Sequence, residues 1–380
     1  MNKIAVSTGL ALVLGIVIGM LLPVNLGAAG PTTVKGFEYT SLTAGGASFI
    51  NPQMQVWIRG FSEKTGAEVT YSSVGSGAGI SGFLQGIYDI GASDVALPKD
   101  KLDEAVAKYG GVLQMPDIVG AVVVVYNVPE LGNSSLKLSG EVIADIYLGK
   151  VRYWDDPEIS KLNPEVQLPH KEIIGVHRSD ASGTTYIFTT YLSMVSEEWK
   201  DEVGANFTVQ WPLDGLGMGL GGRKNDGVAA LVKQTPYSIG YVEFNYAYLN
   251  KLPTALLKNR DGYFVQATEE SVLAALESSS LELPDPSGDW SGVIPILLNR
   301  PGNESYPLVS FSYLFIKKDY GDANGAYTVY KFLKYIYTEG MRDENVVPGY
   351  ISLPCEVKYS VITEVLPRIT VNGEPIEEML

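Results

Sequence analysis

Three short segments of this chain combine small residues, hydroxyl groups and, in one case, an arginine: 47–52 (Ala-Ser-Phe-Ile-Asn-Pro), 75–79 (Gly-Ser-Gly-Ala-Gly) and 178–185 (Arg-Ser-Asp-Ala-Ser-Gly-Thr-Thr). Each lies between a strand-like run and a helix-like run. A turn in that position exposes the free N–H groups of a helix N-terminus, and such groups bind anions. Arg178 adds a planar fork that suits two oxygens of one oxyanion, and Asp180 is spaced to orient it. Ser182 and Thr184 add hydroxyl donors. Together these residues could capture a small tetrahedral oxyanion by hydrogen bonding. Each turn alone has a plainer reading: an N-cap at Asp180 or Ser182, a tight turn at Gly75, an ordinary connection at Ser48-Phe49.

Asp94 qualifies the chemistry. It ends a strand after Gly91-Ala92-Ser93, in the same strand-end context as the donor turns. An ionised Asp only accepts hydrogen bonds. Hydrogen phosphate can donate one; sulfate at neutral pH cannot. A sulfate oxygen facing Asp94 meets uncompensated repulsion, about 4 kcal/mol at ~4 Å and an effective dielectric of ~20. The competing reading makes Asp94 a cap for a helix over 97–108.

Other chemistries find less support. Gly77-Ala78-Gly79-Ile80-Ser81-Gly82 fits the dinucleotide pattern G-x-G-x-x-G, but this is a weak signal among 41 glycines. No G-x-x-x-x-G-K-[ST], H-E-x-x-H or G-x-S-x-G occurs. His177 could act as a base for Ser182, although a histidine on a strand beside an arginine reads as structural. Trp57, Trp154, Trp199 and Trp211 read as core.

These turns need strands and helices to aim them. Short strands are expected at 39–43, 68–71, 87–93, 172–176, 238–244 and 308–316. The unbroken apolar run 119–128 predicts a central strand buried on both faces. Helices are expected after Pro52, over 80–85, over 184–195 and over 327–337. The Gly-rich stretch 215–222 reads as a loop. Strands alternating with helices across short loops indicate an α/β fold.

Of the 380 residues, 46% are hydrophobic and 19% charged, an ordinary globular balance. About 350 residues beyond the N-terminal apolar stretch imply two domains. The net charge of −15 argues against nucleic acid and anionic membranes as partners. It also means that local donors must overcome an unfavourable overall field. Cys355 is the only cysteine, and His170 and His177 are the only histidines, which leaves no cysteine zinc cluster or multi-histidine metal centre. Residues 4–24 are almost wholly apolar, long enough to span a bilayer, with a small-residue cleavage site at 27–29. Residues 1–30 are therefore expected to be a signal or, preferably, a membrane anchor, placing the rest outside the cytoplasm. Sequons at Asn133, Asn206 and Asn303 agree with that placement.

The segments 46–52, 75–77, 91–94 and 178–184 resemble the binding loops of the phosphate-binding proteins of high-affinity phosphate ABC transporters. So do 145–150 with Trp154-Asp155-Asp156, 225–230 (Asn-Asp-Gly-Val-Ala-Ala) and Gly240-Tyr241-Val242-Glu243. The resemblance runs in order over about residues 40–350. It implies a periplasmic-binding-protein fold of type II, two α/β lobes joined by a two-strand hinge. The first lobe would hold 37–116 and 306–368, the second 120–303, with crossings near 116–119 and 306–309. It places ligand-binding positions on Ser48, Phe49, Ser76, Asp94, Arg178, Asp180, Ser182, Gly183 and Thr184. Phe49 and Gly183 would act through backbone N–H groups, and Asp180 would lock Arg178. Ser48 stands where the family often has Thr, 213–222 is longer than usual, and 262–303 and the tail after Cys355 match poorly. The expected ligand is inorganic phosphate and the expected partners are ABC permease subunits. The protein is expected to be a monomeric binding protein, not an enzyme, with no cofactor or metal. Alternatives are another oxyanion (arsenate, sulfate or a metal oxyanion), a secreted phosphatase, or a surface structural protein on the same fold.

Overall fold

The computed structural model describes residues 36–132, 134–279 and 282–380. The apolar segment 4–24 and the sequon at Asn133 lie outside them. Among the described residues, no helix is long and apolar enough to cross a membrane.

The chain alternates strand and helix through its first third. β1 (Leu42–Gly46) leads into α1 (Asn51–Thr65), β2 (Val69–Ser73) into α2 (Ser76–Gln85), and β3 (Ile90–Ser93) into α3 (Lys99–Tyr109). Pro52 suits the first turn of α1, where its missing N–H costs nothing, and Gly66 closes the helix in the left-handed conformation. Met54, Trp57 and Phe61 bury one face of α1. β4 (Val112–Asn127) follows, then β5 (Ile174–Arg178), α4 (Gly183–Val195), β6 (Gly219–Gly222), α5 (Lys224–Gln234), β7 (Ser238–Glu243) and α6 (Phe244–Asn250). β8 (Val309–Lys317) and α7 (Ala323–Tyr335) return late in the chain.

Eight strands form one sheet in the order β2-β1-β3-β8-β4-β7-β5-β6. The strands nearest each end pair in parallel, while β8 and β4 run antiparallel to their neighbours. The arrangement has two lobes, with β4 crossing between them. Val112 to Ala121 pair with β8, and Val122 to Asn127 pair with β7. The change of partner therefore falls at Ala121/Val122. Leu308 O, just before β8, accepts from the Val122 N–H at 2.9 Å.

β4 begins seven residues before the expected apolar run. Pro116 and Asp117 hid this part of the strand. A proline inside a sheet is confined to edges or bulges. Here the register skips Asp117, because Pro116 faces Tyr313 and Ile118 faces Ser312. The bulge accommodates the proline without breaking the ladder. Gln114 also looks polar, but both ends of its amide are bonded: Oε1 accepts from Leu97 N–H and Nε2 donates to Gly288 O.

Three other local expectations need correction. The Gly-rich stretch 215–222 is a 3-10 turn (Pro212–Leu216) followed by edge strand β6, paired along 175–178. Backbone pairing needs no side chain, so glycine hid the strand. α2 starts at Ser76 rather than Ile80, because its small first residues carry no hydrophobic period. Asp94 does not cap the next helix, which begins at Lys99 behind Pro98. Residues 285–290, in a region that matched poorly, lie against the first lobe: Pro286 O accepts from Gln114 N–H, Asp285 pairs with Arg368, and Trp290 packs edge-on against Tyr313.

Candidate functional site

The first lobe brings three segments to one point. β1 ends at Gly46, and Ser48-Phe49 follow before α1. The Phe49 ring is buried against Gly120 on β4 and beside Tyr350, whose O–H donates to Phe49 O. This anchors the backbone of the turn to the crossing strand. Gly75 adopts φ +96 and lets the chain turn sharply into α2, so that Ser76 is its first residue. Gly79 of α2 lies so close to Gly46 and Ala92 that a Cβ there would sit 2.3 Å from Gly46 Cα. The glycines of the G-x-G-x-x-G pattern thus serve close packing, not a pyrophosphate. β3 delivers Asp94, whose N–H donates to Ser76 Oγ at 3.3 Å.

The second lobe brings the rest. Arg178 is the last residue of β5, fixed by donation of its N–H to Tyr241 OH at 3.1 Å. Its Nε and Nη2 bind both oxygens of Asp180, at 2.8 and 2.6 Å. Asp180 Oδ1 also accepts from Lys224 N–H at 2.9 Å, holding Lys224 at φ +61 as the first residue of α5. Ser182 is the N-cap of α4, accepting from Thr185 N–H at 3.1 Å. Capping and ligand binding are compatible for Ser182: the cap uses its acceptor side, and the O–H remains a donor. Gly183 and Thr184 open the helix, with N–H groups that have no intrahelical partner.

The two sets meet across the cleft. Thr184 Oγ1 donates to Asp94 Oδ2 at 2.7 Å, and Gly77 N–H donates to Ala181 O at 3.1 Å. A Cβ on Gly183 would stand 2.7 Å from Asp94 Cβ and 2.8 Å from Ser76 Oγ. Ser76, Asp94, Arg178, Gly183 and Thr184 therefore meet in one cleft, with Asp180 behind Arg178; Ser48 is linked to Thr184 through Asn225, and Phe49 and Ser182 lie in the adjoining turns. Because a side chain at 183 collides with the opposite lobe, Gly183→Ala is expected to hold the cleft ajar. Small-angle scattering should then show a larger radius of gyration at saturating anion than the parent chain gives.

Sequence reasoning missed four residues of this site. Asn225, the second residue of α5, donates through Nδ2 to Ser48 Oγ at 3.1 Å and to Thr184 Oγ1 at 3.4 Å, and through its backbone N–H to Ser48 Oγ at 3.2 Å. Its Oδ1 accepts from Glu243 N–H at 3.0 Å. Tyr246 donates to Ser48 O at 2.7 Å, and Tyr241 joins Arg178 to Thr185. Asn225, Tyr241 and Glu243 lie in motifs noted for their resemblance, but only the fold shows what they touch. His177, by contrast, is structural: its ring stacks on Trp211, Nε2 meets Asp214 at 2.8 Å and Nδ1 meets Arg178 O.

The electrostatics are uneven. Arg178 is 4% exposed and Asp94 1%. Burial pushes the Asp94 carboxyl up to about 6, although Thr184, Arg178 and Ser76 all pull it down. Asp94 Oδ1 has no protein hydrogen-bond partner. Burial also raises Asp180, but the bonded and charged Arg178 fork outweighs it and leaves the carboxyl below its ordinary value. Glu243 is raised well above the carboxylate range by burial. The site thus offers one cation, already shared with Asp180, several neutral donors, and one buried carboxylate oxygen that needs a donor.

Known proteins resemble this chain in sequence and fold. The model of the PBP superfamily domain matches residues 29–339. A phosphate-binding protein PstS of Methanocaldococcus jannaschii is 42% identical over 369 residues, covering 93% of this chain and 94% of that protein. The phosphate-binding protein PstS of Pasteurella multocida is 40% identical over 338 residues, covering 89% of this chain and 92% of that protein. Among solved structures, a high-affinity periplasmic phosphate-binding protein (PfluDING) with phosphate bound at pH 8.5 has the same fold. Its TM-score is 0.67 at 19% identity, over 85% of this chain and 93% of that one. With its two lobes, its crossing strands and 42% identity along nearly its whole length, this chain belongs to the PstS family of phosphate-binding proteins within the PBP superfamily.

Proposed function

We propose that this protein captures inorganic phosphate outside the cytoplasm and delivers it to an ABC importer. The observation that carries this reading is Asp94 Oδ1, a buried carboxylate oxygen without a donor, in a cleft otherwise built of donors. A ligand that satisfies both must accept hydrogen bonds on several oxygens and donate one from another. Hydrogen phosphate does this; sulfate does not. Ser48, Ser76, Ser182 and Thr184 would donate through hydroxyls, Phe49 and Gly183 through N–H groups, and Arg178 through its fork. Asp180 would keep that fork in place. Thr184 now gives its proton to Asp94 Oδ2 and would turn toward the anion on binding.

The moving units are proposed to be 37–116 with 306–368 against 120–303; the change of partner along β4 supports the division, although residues 285–290 pack on the first unit and would move with it. Ligand bound between two lobes favours the closed form by its differential affinity. Charge-assisted bonds contribute about 1.5–3 kcal/mol each, so a few suffice for the roughly 8 kcal/mol of micromolar affinity after desolvation costs. The partners would be the permease subunits, met as a monomer, with any membrane attachment through the N-terminal segment alone. No enzymatic role is proposed. Isothermal titration with phosphate at pH 7.5 tests the reading: saturable 1:1 binding at micromolar or tighter Kd is expected. Absence of binding, or turnover of a phosphate ester by the metal-replete protein, contradicts it.

A further inference from the structure

Ser48 carries a hydroxyl whose acceptor capacity is used up. A serine oxygen has two lone pairs and one O–H. Both lone pairs face donors from one residue: the backbone N–H of Asn225 at 3.2 Å and its side-chain Nδ2 at 3.1 Å. The orientation of the amide is not arbitrary. Asn225 Oδ1 accepts from the Glu243 N–H at 3.0 Å, and a backbone N–H can only donate, so Nδ2 must point to Ser48. Asn225 and Ser48 are both fully buried. The single remaining capacity of the Ser48 hydroxyl is to donate, inside a cleft lined by Asp94, Arg178 and Thr184.

The bond also joins opposite lobes. Ser48 follows β1, whereas Asn225 opens α5 beside β7 and β6. Separation of the lobes breaks it. The same amide reaches Thr184 Oγ1 at 3.4 Å, where Arg178 Nη1 also arrives at 3.4 Å and the hydroxyl proton is committed to Asp94. Asn225 thus contacts the hydroxyls of both lobes without adding charge.

We infer that Asn225 is a positioning residue for the anion site: it fixes the Ser48 hydroxyl as a donor to the ligand and latches the two lobes through that same oxygen. This rests on the phosphate-binding reading above. Because the latch exists only in the closed form, its loss should appear in the dissociation rate rather than the association rate.

A double-mutant cycle tests the inference, with phosphate titrations of the parent chain, Asn225→Ala, Ser48→Ala and the double variant. Asn225→Ala is expected to weaken phosphate about 10-fold in the parent, mostly through faster release. It should cost less than about 3-fold where Ser48 is already Ala. Equal losses in both backgrounds overturn the inference. So does an Asn225→Ala protein that melts earlier but binds as tightly, since that is the signature of a merely structural residue. If Asn225→Ala does not fold, Asn225→Asp keeps the acceptor for Glu243 and the side-chain size, and its loss should likewise shrink about 3-fold or more without Ser48. Failure of the parent chain to bind phosphate would remove the underlying reading and this inference with it; additive losses in a parent that binds would remove this inference alone.

Discussion

Asn in place of Asp94 is expected to admit sulfate. The Asp94 carboxylate is buried and one of its oxygens has no protein donor. A sulfate oxygen placed there brings like charge against like charge, about 4 kcal/mol at ~4 Å and an effective dielectric of ~20. An amide removes the charge and offers an N–H. Sulfate affinity should rise about 10²–10³-fold, while phosphate, which can use either group, should change less than about 10-fold. The same variant alters the pH dependence of the ligand-free protein. Burial pushes Asp94 up to about 6. A carboxyl raised above its unfolded value near ~3.9 favours the folded state below that value, and the benefit is lost as pH rises through about 6. The ionised group therefore costs about 3 kcal/mol at neutral pH. Asp94→Asn should melt higher than the parent at pH 7.5 and close to it at pH 4. Matching melting temperatures at both pH values, with sulfate still rejected, would remove Asp94 from its role.

Removing the one cation should do more damage. Arg178→Met is expected to weaken phosphate about 10³-fold or more. The guanidinium is buried, binds both Asp180 oxygens and reaches Thr184. Its loss deletes charge-assisted bonds of about 1.5–3 kcal/mol each and leaves Asp180 unpaired beside the anion. Arg178→Lys should recover little, because an ammonium cannot hold two carboxylate oxygens and face a ligand with a planar fork. Titration calorimetry decides this; an Arg178→Met protein within about 10-fold of the parent contradicts the assigned role.

Arg178, Asp180, Ser182 and Thr184 were legible because they lie within seven positions, at a strand end and a helix start, where local chemistry predicts their geometry. Asp94 was legible as an anomaly, a carboxylate among donors. The α/β class followed from the alternation of strands and helices, and the apolar run 119–128 marked the central strand. The first part of β4 was not legible, because Pro116 and Asp117 are tolerated only by a bulge that depends on β8, nearly 200 residues later. Asn225 escaped for the same reason. It acts on Ser48 from 177 positions away, and nothing local to 225–227 reveals that partner. Tyr241 likewise read as a residue of the 238–244 strand, and the hydroxyls of Tyr241 and Tyr246 acquire meaning only through partners far along the chain, Arg178 and Thr185 for the first and Ser48 for the second.

The central claim is that the cleft selects a tetrahedral anion bearing a proton. Competition at pH 7.5 tests it most directly, with the protein loaded with radiolabelled phosphate and challenged with sulfate or arsenate. Arsenate, which keeps an O–H, should displace the label at comparable concentrations, and sulfate should not displace it even at about 10³-fold excess. Displacement by sulfate at concentrations near those of arsenate would contradict the account.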